Sequence, residues 1–377
     1  MLTVAHITDV VDGRSNSGTA RVASELISQI SSSTEILQIL IHFEKNENMI
    51  YKLPNTQEIL IPLIKFPIAK HFFSFVLYWI KFRIYNKSIR FDAVHWHSSR
   101  VYPLFFLVPA KKIFITLHDV NSRIIRNSNT IWTHIFYWNL RIFQFKVEAI
   151  FGDSRDACKK MVSVGKFKDN KVKCLYIASN FESISAIKPK KFEQEKGFFL
   201  CVSRWQPYKN VATLIEAYSQ AVNILPEIPK LILVGKPVSR YDLPRQLVNT
   251  LGMSDRVTIF EDLTDQELAY LYDSASINIV PSLHEGFGLS VLEGLKRSCP
   301  SIDHKFTSTS EISGNAGIHI DMSSINELKL AMISIIEDPG SIGNLKDNCK
   351  SRSSKFTWVQ SSQILSMFYH GIILDSE

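Results

Sequence analysis

The sequence predicts an α/β fold built from two doubly wound domains with parallel sheets. Short apolar or β-branched runs alternate with helical stretches along 377 residues, and 45% of the residues are hydrophobic, which is sufficient for two cores. The runs form two series, the first at 2–8, 36–41, 92–97, 112–117 and 148–152, the second at 198–202, 231–235, 257–260, 277–280 and 299–302. A charged stretch with proline and glycine, 187–197, separates the series and is the predicted linker.

One further helix is predicted after the second strand series, at 357–374. Apolar and aromatic residues recur there at helical spacing, namely Trp358, Ile364, Leu365, Phe368 and Tyr369. Because the second strand series is already complete, this late amphipathic helix is not explained by the second sheet.

The nonapeptide at 285–293 reads EGFGLSVLE and is the most informative segment of the chain. It follows a buried apolar run, and Leu289 and Leu292 return at helical spacing, so Gly286-Phe287-Gly288 is predicted at a strand-to-helix turn. Free N–H groups at a helix N-terminus form an anion site, and glycine lets a phosphate approach the main chain. Glycines at such a turn also occur as simple packing devices.

Two carboxylates, Glu285 and Glu293, stand at the ends of this nonapeptide. Carboxylates accept hydrogen bonds from hydroxyl groups, so one of them can meet a group beyond the phosphate while the other faces back toward a ribose. This pattern predicts a site for a sugar nucleotide. A glutamate near a helix start also complements the helix dipole without any ligand, and that interpretation stays open.

A basic turn follows the first strand of the second series. Residues 203–210 read SRWQPYKN, with Arg204 and Lys209 five positions apart before a helix that is predicted from Val211. A guanidinium and an ammonium group on one turn can converge on a diphosphate and stabilise negative charge on a leaving nucleotide. The alternative is a solvated basic turn.

Together the two segments resemble the retaining glycosyltransferases of family 4, which have the GT-B architecture. The Glu-x7-Glu element of that family has the form EGFGLPxLE, and residues 285–293 match it except that Ser290 stands where proline is usual. Arg204 and Lys209 match the phosphate-binding pair of the family, in a segment similar to SRxxxxKN. The resemblance covers nearly the whole second half of the chain.

This resemblance implies two Rossmann-like domains that face a central cleft. The first, 1–186, would bind the acceptor, the second, 197–356, would bind the nucleotide sugar, and a terminal helix within 357–377 would cross back to the first domain. Arg204 and Lys209 would stabilise the charge on the β-phosphate during transfer. The implied donor-binding residues are Gly18, Arg204, Lys209, Glu285, Gly286, Phe287, Gly288, Leu289, Ser290 and Glu293.

Roles for the two carboxylates also follow from the resemblance. Glu285 would contact the hydroxyl groups of the transferred sugar, and Glu293 would contact the ribose. The family mechanism favours attack on the same face of the sugar, in which the leaving phosphate helps to take the proton of the acceptor. A covalent carboxylate intermediate is the other retaining route, and the sequence identifies no nucleophile.

The first half matches the family less closely, at two places. His118 ends an apolar strand, where ligand-binding residues of α/β domains are expected, and it stands in a Thr-x-His-Asp stretch similar to that of the family. The resemblance implies that His118 orients the sugar and the acceptor, although a histidine bonded to main chain at a strand end is the alternative. Near the N-terminus, 12–21 resembles the family's glycine-rich loop, of which only Gly18 carries over.

We expect neither a metal nor another cofactor. His95 and His97 share one face of a strand, but two ligands are too few for a metal site, and no Asp-x-Asp motif is present. A dinucleotide fingerprint of the form Gly-x-Gly-x-x-Gly is absent too, which argues against a dehydrogenase.

Charge is distributed unequally between the halves. Residues 1–186 contain 24 Lys and Arg against 14 Asp and Glu, whereas 187–377 contain 19 against 22. Basic and aromatic residues interleave at 65–91 and again at 132–146, a composition that suits an anionic membrane surface. The alternative is that the aromatic residues pack on the sheet of the first domain. Nucleic acid is a poorer partner because no binding motif accompanies the charge.

The predicted location is the cytoplasm, peripheral at the inner face of the membrane. No apolar run reaches the length of a membrane span, and the N-terminus lacks the basic region of a signal peptide. Five scattered cysteines without a Cys-x-x-Cys pair suit a reducing compartment. The sequence does not indicate an oligomeric state.

We therefore predict a metal-independent retaining glycosyltransferase of surface-polysaccharide or O-antigen biosynthesis. It would move a hexose from a nucleoside diphosphate to a hydroxyl group of a saccharide acceptor, which we expect to be linked to a lipid. GDP-mannose, a UDP-hexose or another activated sugar fits the site equally well. The alternatives are a non-catalytic partner subunit of the same fold and a GT-B sugar-nucleotide epimerase.

Overall fold

The computed structural model describes residues 1–11, 18–44, 49–65, 70–99, 101–120, 131–190, 192–193, 197–238 and 241–372. By their internal contacts these residues form two compact units. The first unit contains Met1–Ile177 together with the C-terminal segment from Thr357, and the second contains Ala178–Phe356.

A seven-stranded parallel sheet forms the centre of the first unit, with strand order β3-β2-β1-β4-β5-β6-β7. Its strands are β1 Leu2–Ile7, β2 Ile36–His42, β3 Thr56–Leu60, β4 Phe91–Trp96, β5 Ala110–His118, β6 Ala149–Gly152 and β7 Val172–Cys174. The strand order reverses between β1 and β4. From β1 the chain builds the sheet outward through β2 to β3, and from β4 it builds the other side through β5 and β6 to β7.

In the described part of the first unit the α-helices are α1 Gly18–Ser31, α2 Lys70–Tyr85, α3 Ile131–Phe143, α4 Arg155–Ser163 and α12 Trp358–His370. Successive strand residues point to opposite faces of the sheet, and both faces are buried. Ile39 and Ile41 lie in a core with Phe75 and Trp79 of α2. Leu40 lies in a separate core with residues of α1, on the other face.

The second unit has a six-stranded parallel sheet with strand order β10-β9-β8-β11-β12-β13. Its strands are β8 Phe198–Val202, β9 Leu231–Val234, β10 Val257–Phe260, β11 Ala275–Val280, β12 Ser301–His304 and β13 Gly317–Ile320. Its helices are α5 Val211–Ile224, α6 Leu243–Thr250, α7 Asp265–Ser274, α8 Leu289–Lys296, α9 Ser308–Ser313, α10 Ile325–Glu337 and α11 Pro339–Ser353. The order reverses between the neighbouring strands β8 and β11.

The predicted fold class, two Rossmann-like α/β units with the terminal helix in the first of them, is confirmed. Three strands have no counterpart in the prediction, β3, β7 and β13. Each is an edge strand of its sheet. Their sequences, TQEIL, VKC and GIHI, are short and contain polar or charged residues, so they lack the apolar run from which the other strands were predicted.

The division between the units lies at Ile177–Ala178, ahead of the 187–197 stretch that was predicted as the linker. The reason is packing. Phe181 is fully buried against Tyr272 of the second unit, with ring centroids 5.8 Å apart. The Arg297 guanidinium donates to the carbonyl of Ile184 at 3.0 Å, and the Phe192 ring packs on Phe198. Residues 178–190 and 192–193 therefore pack on the second unit before its first strand begins.

Candidate functional site

The strand-to-helix turn at 281–288 is formed as predicted, between β11 and α8. Gly288 adopts a left-handed conformation, with φ 103°, and a Cβ atom there would lie 3.0 Å from Cγ2 of Thr309. The position therefore favours glycine for both conformational and steric reasons. Ser308, at the start of α9, donates through its Oγ to the carbonyl of Glu285 at 3.2 Å and holds the turn from the other side.

Ser290, which replaces the usual proline, lies in the first turn of α8. Its carbonyl oxygen accepts hydrogen bonds from Asn278 Nδ2 at 2.9 Å and from the hydroxyl of Tyr272 at 3.2 Å. The start of the helix is thus fixed by side chains of β11 and α7, in the absence of the proline.

Phe287 is the donor-site candidate whose side chain is directed into the protein. It is buried, and its ring meets that of Phe356 edge-on at 5.8 Å. Its side chain is therefore part of the core of this turn. Leu289, Ser290 and Glu293 are partly buried, and the charge of Glu293 contributes, after burial, to the raised pKa of the neighbouring Tyr272.

Lys209 and Glu285 are in direct contact, which the sequence did not predict. Lys209 Nζ lies 2.5 Å from Glu285 Oε1, and their side chains are 18% and 14% exposed. Burial raises the pKa of the adjacent Cys201 thiol to about 12, although the charge of Lys209 opposes this shift. The two turns of the candidate donor site are thereby joined by an ion pair at the carboxyl ends of neighbouring strands.

Several residues that the sequence analysis missed hold the Lys209 turn. Asn210 has a left-handed backbone, with φ 58°, and its Nδ2 donates to the carbonyl of Met322 at 2.7 Å. The turn is also joined to the neighbouring one, because the N–H of Leu283 donates to the carbonyl of Tyr208 at 2.9 Å. Asparagine is one of the few non-glycine residues that tolerate this conformation, which is the sequence signal that could have identified Asn210.

Arg204 is exposed, on the segment between β8 and the Lys209 turn. This segment runs beside Gly235, where a Cβ atom would lie 1.8 Å from the carbonyl oxygen of Ser203. Trp205 is buried next to it and hydrogen-bonds with the main chain of Lys236 and Val238. Gly235 therefore sets the path of the chain that carries Arg204.

His118, in the first unit, ends β5 with a left-handed backbone, φ 64°, after an irregularity in its pairing with β6. Its Nδ1 lies 3.1 and 3.0 Å from the two carboxylate oxygens of Asp153, which directly follows β6. Its Nε2 lies 3.4 Å from the carbonyl oxygen of His97. Burial lowers the pKa of His118, but Asp153, the charge of Asp119 and the carbonyl of His97 together outweigh burial, and the pKa is raised.

Gly18 is the first residue of α1 and is exposed. Residues 12–17, the remainder of the predicted glycine-rich loop up to Ser17, lie outside the described residues. The role of Gly18 in donor binding stays a prediction.

Three buried histidines lie together in the first unit, because β1 adds His6 to the predicted pair His95 and His97. The sequence argument against a metal considered two histidines, whereas the structure places three together. His6 Nδ1 and His97 Nε2 are 2.9 Å apart, and His95 bonds the hydroxyls of Tyr369 and Thr116. Burial lowers the pKa of His6 to about 3 and lowers those of His95 and His97 well below the usual range. All three rings are neutral at pH 7.

Comparison with known proteins gives one family match and several relatives. Residues 183–356 match the family model described as "Glycosyl transferases group 1". Serotype-specific mannosyltransferase WbdA of Escherichia coli is 28% identical over 244 residues, which are 61% of this chain and 29% of WbdA. The chain thus spans less than a third of that relative. O-antigen chain mannosyltransferase RfbU of Salmonella typhimurium is 24% identical over 250 residues, 63% of this chain and 68% of RfbU.

Solved structures extend the likeness to the whole chain. A glycosyltransferase from Rickettsia africae is similar with a TM-score of 0.74 and 16% identity, covering 100% of this chain and 99% of that one. Anabaena Alr3699/HepE in complex with UDP and glucose gives a TM-score of 0.74 and 15% identity, covering 98% and 100%. At this identity the likeness shows a shared fold. The two curated relatives are mannosyltransferases by name, so the comparisons do not favour a non-catalytic subunit or an epimerase.

Proposed function

We propose that the chain transfers a hexose from a nucleoside diphosphate to a hydroxyl group of a saccharide. The match of residues 183–356 to the family model of glycosyl transferases group 1 supports this proposal. The observation that carries the proposal is the ion pair between Lys209 and Glu285. The two residues follow β8 and β11, the neighbouring strands at which the order of the second sheet reverses. Open α/β sheets bind ligands outside the carboxyl ends of their strands at such a reversal.

The chemistry follows from the charges at these turns. The bond between C1 of the hexose and the β-phosphate oxygen breaks, and its electron pair stays on that oxygen. Lys209, Arg204 and the N–H groups of the glycine turn stabilise the negative charge as it grows. The acceptor oxygen forms the new bond to C1, and its proton passes to the leaving phosphate. Attack on the same face retains the configuration of the donor.

Within this reaction Glu285 accepts hydrogen bonds from hydroxyl groups of the hexose, and Glu293 accepts them from the ribose. Carboxylate oxygens accept hydrogen bonds, which suits the hydroxyl groups of a sugar as donors. The two cationic side chains supply the charge that a metal ion provides in other transferases, so we propose transfer without a metal.

The transferred sugar is mannose in this proposal, because the curated relatives WbdA and RfbU carry that activity in their names. The product is part of an O-antigen or a similar surface polysaccharide. The base of the nucleotide is left open, since Glu293 recognises the ribose that nucleotides share.

The acceptor is a saccharide linked to a lipid, and the first unit meets the membrane that holds it. Two helices with basic residues expose apolar side chains: Leu77, Ile80, Ile84 and Tyr85 on α2, and Trp138 and Ile142 on α3. Among the described residues, no helix is both long and apolar enough to span a bilayer. Contact is therefore peripheral, at the inner face of the cytoplasmic membrane.

Two adjoining cavities beside α2 support such contact. One, of about 410 Å³, is lined mainly by apolar side chains that include Leu77, Tyr78 and Phe82. The other, of about 360 Å³, is lined by Arg83, Lys87 and Arg90, and Asn86 borders both. A basic cavity next to an apolar one suits a phosphate that carries a hydrocarbon chain.

Transfer can be measured directly. The protein is incubated with GDP-mannose, UDP-glucose, UDP-galactose or ADP-glucose and an alkyl mannoside acceptor, with and without EDTA, and the products are identified by mass spectrometry and by the NMR coupling at C1. We expect a disaccharide with an α-linkage from one donor, undiminished by EDTA. A β-linked product would contradict retention, and loss of transfer in EDTA would contradict transfer without a metal.

A further inference from the structure

The pair formed by His118 and Asp153 goes beyond what the family resemblance implies, because no part of that resemblance concerns Asp153. Asp153 is only 8% exposed and His118 15% exposed at their side chains. They stand at the ends of the neighbouring strands β5 and β6. The N–H of Asp153 also donates to the carbonyl of His118 at 3.3 Å, so the pair is joined through main chain as well as side chains.

Both ring nitrogens of His118 face hydrogen-bond acceptors. Nδ1 faces the two carboxylate oxygens of Asp153 at 3.1 and 3.0 Å, and Nε2 faces the carbonyl oxygen of His97 at 3.4 Å. A carbonyl oxygen cannot donate, and neither can an ionised carboxylate. A neutral imidazole has one N–H and satisfies only one of these contacts, whereas the imidazolium satisfies both.

The charges around the ring favour the same state. Asp153 and Asp119 raise the pKa of His118 against the effect of burial. Among the described residues, His95 and His97 also interact with the charge of His118, and burial lowers the pKa of each well below the usual range. Since these two rings are neutral at pH 7, they do not repel a charge on His118 there.

The backbone holds the ring in this position. His118 has a left-handed backbone, with φ 64°, a conformation that is uncommon for residues other than glycine and that histidine adopts more often than most. Such conformations persist where surrounding contacts fix them and are concentrated at functional sites. Here the carboxylate of Asp153 fixes the ring, and its main-chain N–H fixes the carbonyl of the same histidine.

We propose that Asp153 is a positioning residue that keeps His118 as an imidazolium, with Nδ1 held and Nε2–H available to donate to an oxygen atom of the sugar or the acceptor. The present contact of Nε2 is long, at 3.4 Å, so a substrate oxygen can replace the carbonyl of His97. This inference rests on the proposed function for the identity of the ligand but not for the charge.

The consequence for the reaction is specific. An imidazolium is only a donor, so His118 does not remove the proton of the acceptor hydroxyl. The proton must pass to another group, and the leaving phosphate is the group that gains negative charge in the same step. Asp153 thereby excludes a general-base mechanism through His118 and leaves it the role of orienting and stabilising an oxygen.

Nitrogen NMR of the histidine side chains tests the charge without any substrate. The full chain, labelled with ¹⁵N-histidine, is titrated from pH 5 to pH 9, and His118 is assigned through His118→Gln. We expect both nitrogens of His118 to carry protons at pH 7. In Asp153→Asn we expect the titration midpoint to fall by about 1 to 3 pH units, the usual effect of losing an adjacent opposite charge.

Asp119→Asn is the matched control. It removes the carboxylate of the next residue, which acts on the His118 ring through its charge, whereas Asp153 acts through both its charge and a hydrogen bond. We expect its shift to be smaller than that of Asp153→Asn. A neutral His118 in the wild-type protein at pH 7, or equal shifts in the two variants, would overturn the inference. The wild-type spectrum decides the question even where a variant fails to fold.

Activity supplies a separate measurement. In Asp153→Asn, we expect kcat to fall progressively from pH 6 to pH 8 as His118 loses its proton, whereas the wild type stays constant over this range. An unchanged pH profile in the variant, with its midpoint shifted in the NMR titration, would contradict the role in transfer. Absence of transfer by the wild type would contradict the proposed function and leave the NMR result standing.

Discussion

At the reversal of strand order in the second sheet, Lys209 and Glu285 form an ion pair, while at the corresponding place in the first sheet His6 and His97 form a hydrogen bond between neutral rings. Each pair joins the two neighbouring strands between which the strand order reverses. These are β8 and β11 in one sheet and β1 and β4 in the other. The topology brings two side chains together in each unit. The residue types decide whether the place receives a charged ligand or becomes part of the core.

The chemistry of the two units follows this difference. The second unit carries a partly exposed cation and anion beside a glycine turn, which suits a diphosphate and its sugar. The first unit buries three histidines, and His118, which we propose to be charged, lies one strand further along, held by Asp153. Basic residues on and after α2, among them Lys81, Lys87 and Arg90, are exposed.

Replacement of Lys209 should have the largest effect. Lys209→Ala removes a cation that opposes growing charge and leaves Glu285 without that partner, so we expect kcat to fall about 10²- to 10³-fold, as when one stabilising donor is lost. Steady-state kinetics with the preferred donor measure this. Lys236→Ala is the control, because Lys236 pairs with Asp262 at the surface of the same unit. Equal losses in the two variants would show that the Lys209 pair has no special role.

Gly235→Ala should destabilise the second unit by about 3 kcal/mol, because a Cβ atom would clash with the carbonyl of Ser203 and the residue has a positive φ. Differential scanning calorimetry measures the change. Gly252→Ala is the matched control, since Gly252 also has a positive φ but no atom lies within 4 Å of the added Cβ. If both substitutions had the same effect, the close approach at Gly235 would not be the cause.

Acid should weaken the first unit before the second. The pKa of His6 is about 3 in the folded chain against 6.5 unfolded, so the unfolded chain binds the proton more tightly. The stability that the neutral ring contributes is present above pH 6.5 and is lost as the pH falls toward 3, by about 1.4 kcal/mol for each pH unit. His95 and His97 act in the same direction.

Calorimetry at several pH values between 7 and 5 resolves this effect. We expect the melting temperature of the first unit to fall more steeply than that of the second, and His6→Gln to make the fall less steep. Parallel behaviour of the two transitions would contradict the neutral histidine core.

Glu293→Ala should weaken nucleotide binding about tenfold, with little change in kcat, because a contact to the ribose is made equally in the ground state and the transition state. Titration calorimetry with the preferred nucleoside diphosphate measures the dissociation constant. Glu337→Ala, at an exposed position in the same unit, should bind as the wild type does. A loss of kcat without a loss of affinity would move Glu293 from the ribose to the reacting centre.

Lys87→Ala should have the smallest effect, a decrease of about fivefold in binding to vesicles with anionic lipid, since one basic residue near such a surface contributes about 1 kcal/mol. Flotation or sedimentation with phosphatidylglycerol vesicles measures it. Lys350→Ala, an exposed lysine of the second unit, should leave binding unchanged. Equal losses would show that binding follows net charge and is not localised to α2.

The comparison also explains what the sequence could predict. Buried central strands such as β8 and β11 have apolar runs, and the glycines of 286–288 indicate a turn, so the strand-turn-helix elements around Lys209 and Glu285 were predicted closely. The edge strands β3, β7 and β13 lack such runs. Contacts between distant segments were not predicted either, because Asp153 meets His118, and Ser308 meets Glu285, only once the sheets have formed.

The turns of Lys209 and Glu285 should bind a nucleoside diphosphate, and this binding can be measured directly. Titration calorimetry of the full chain with UDP, GDP, ADP and TDP, each with and without EDTA, measures it for the wild type and for Glu293→Ala. We predict that one diphosphate binds, with equal affinity in EDTA, and that Glu293→Ala weakens it. Binding of none of the four, or binding that Glu293→Ala leaves unchanged, would contradict the account.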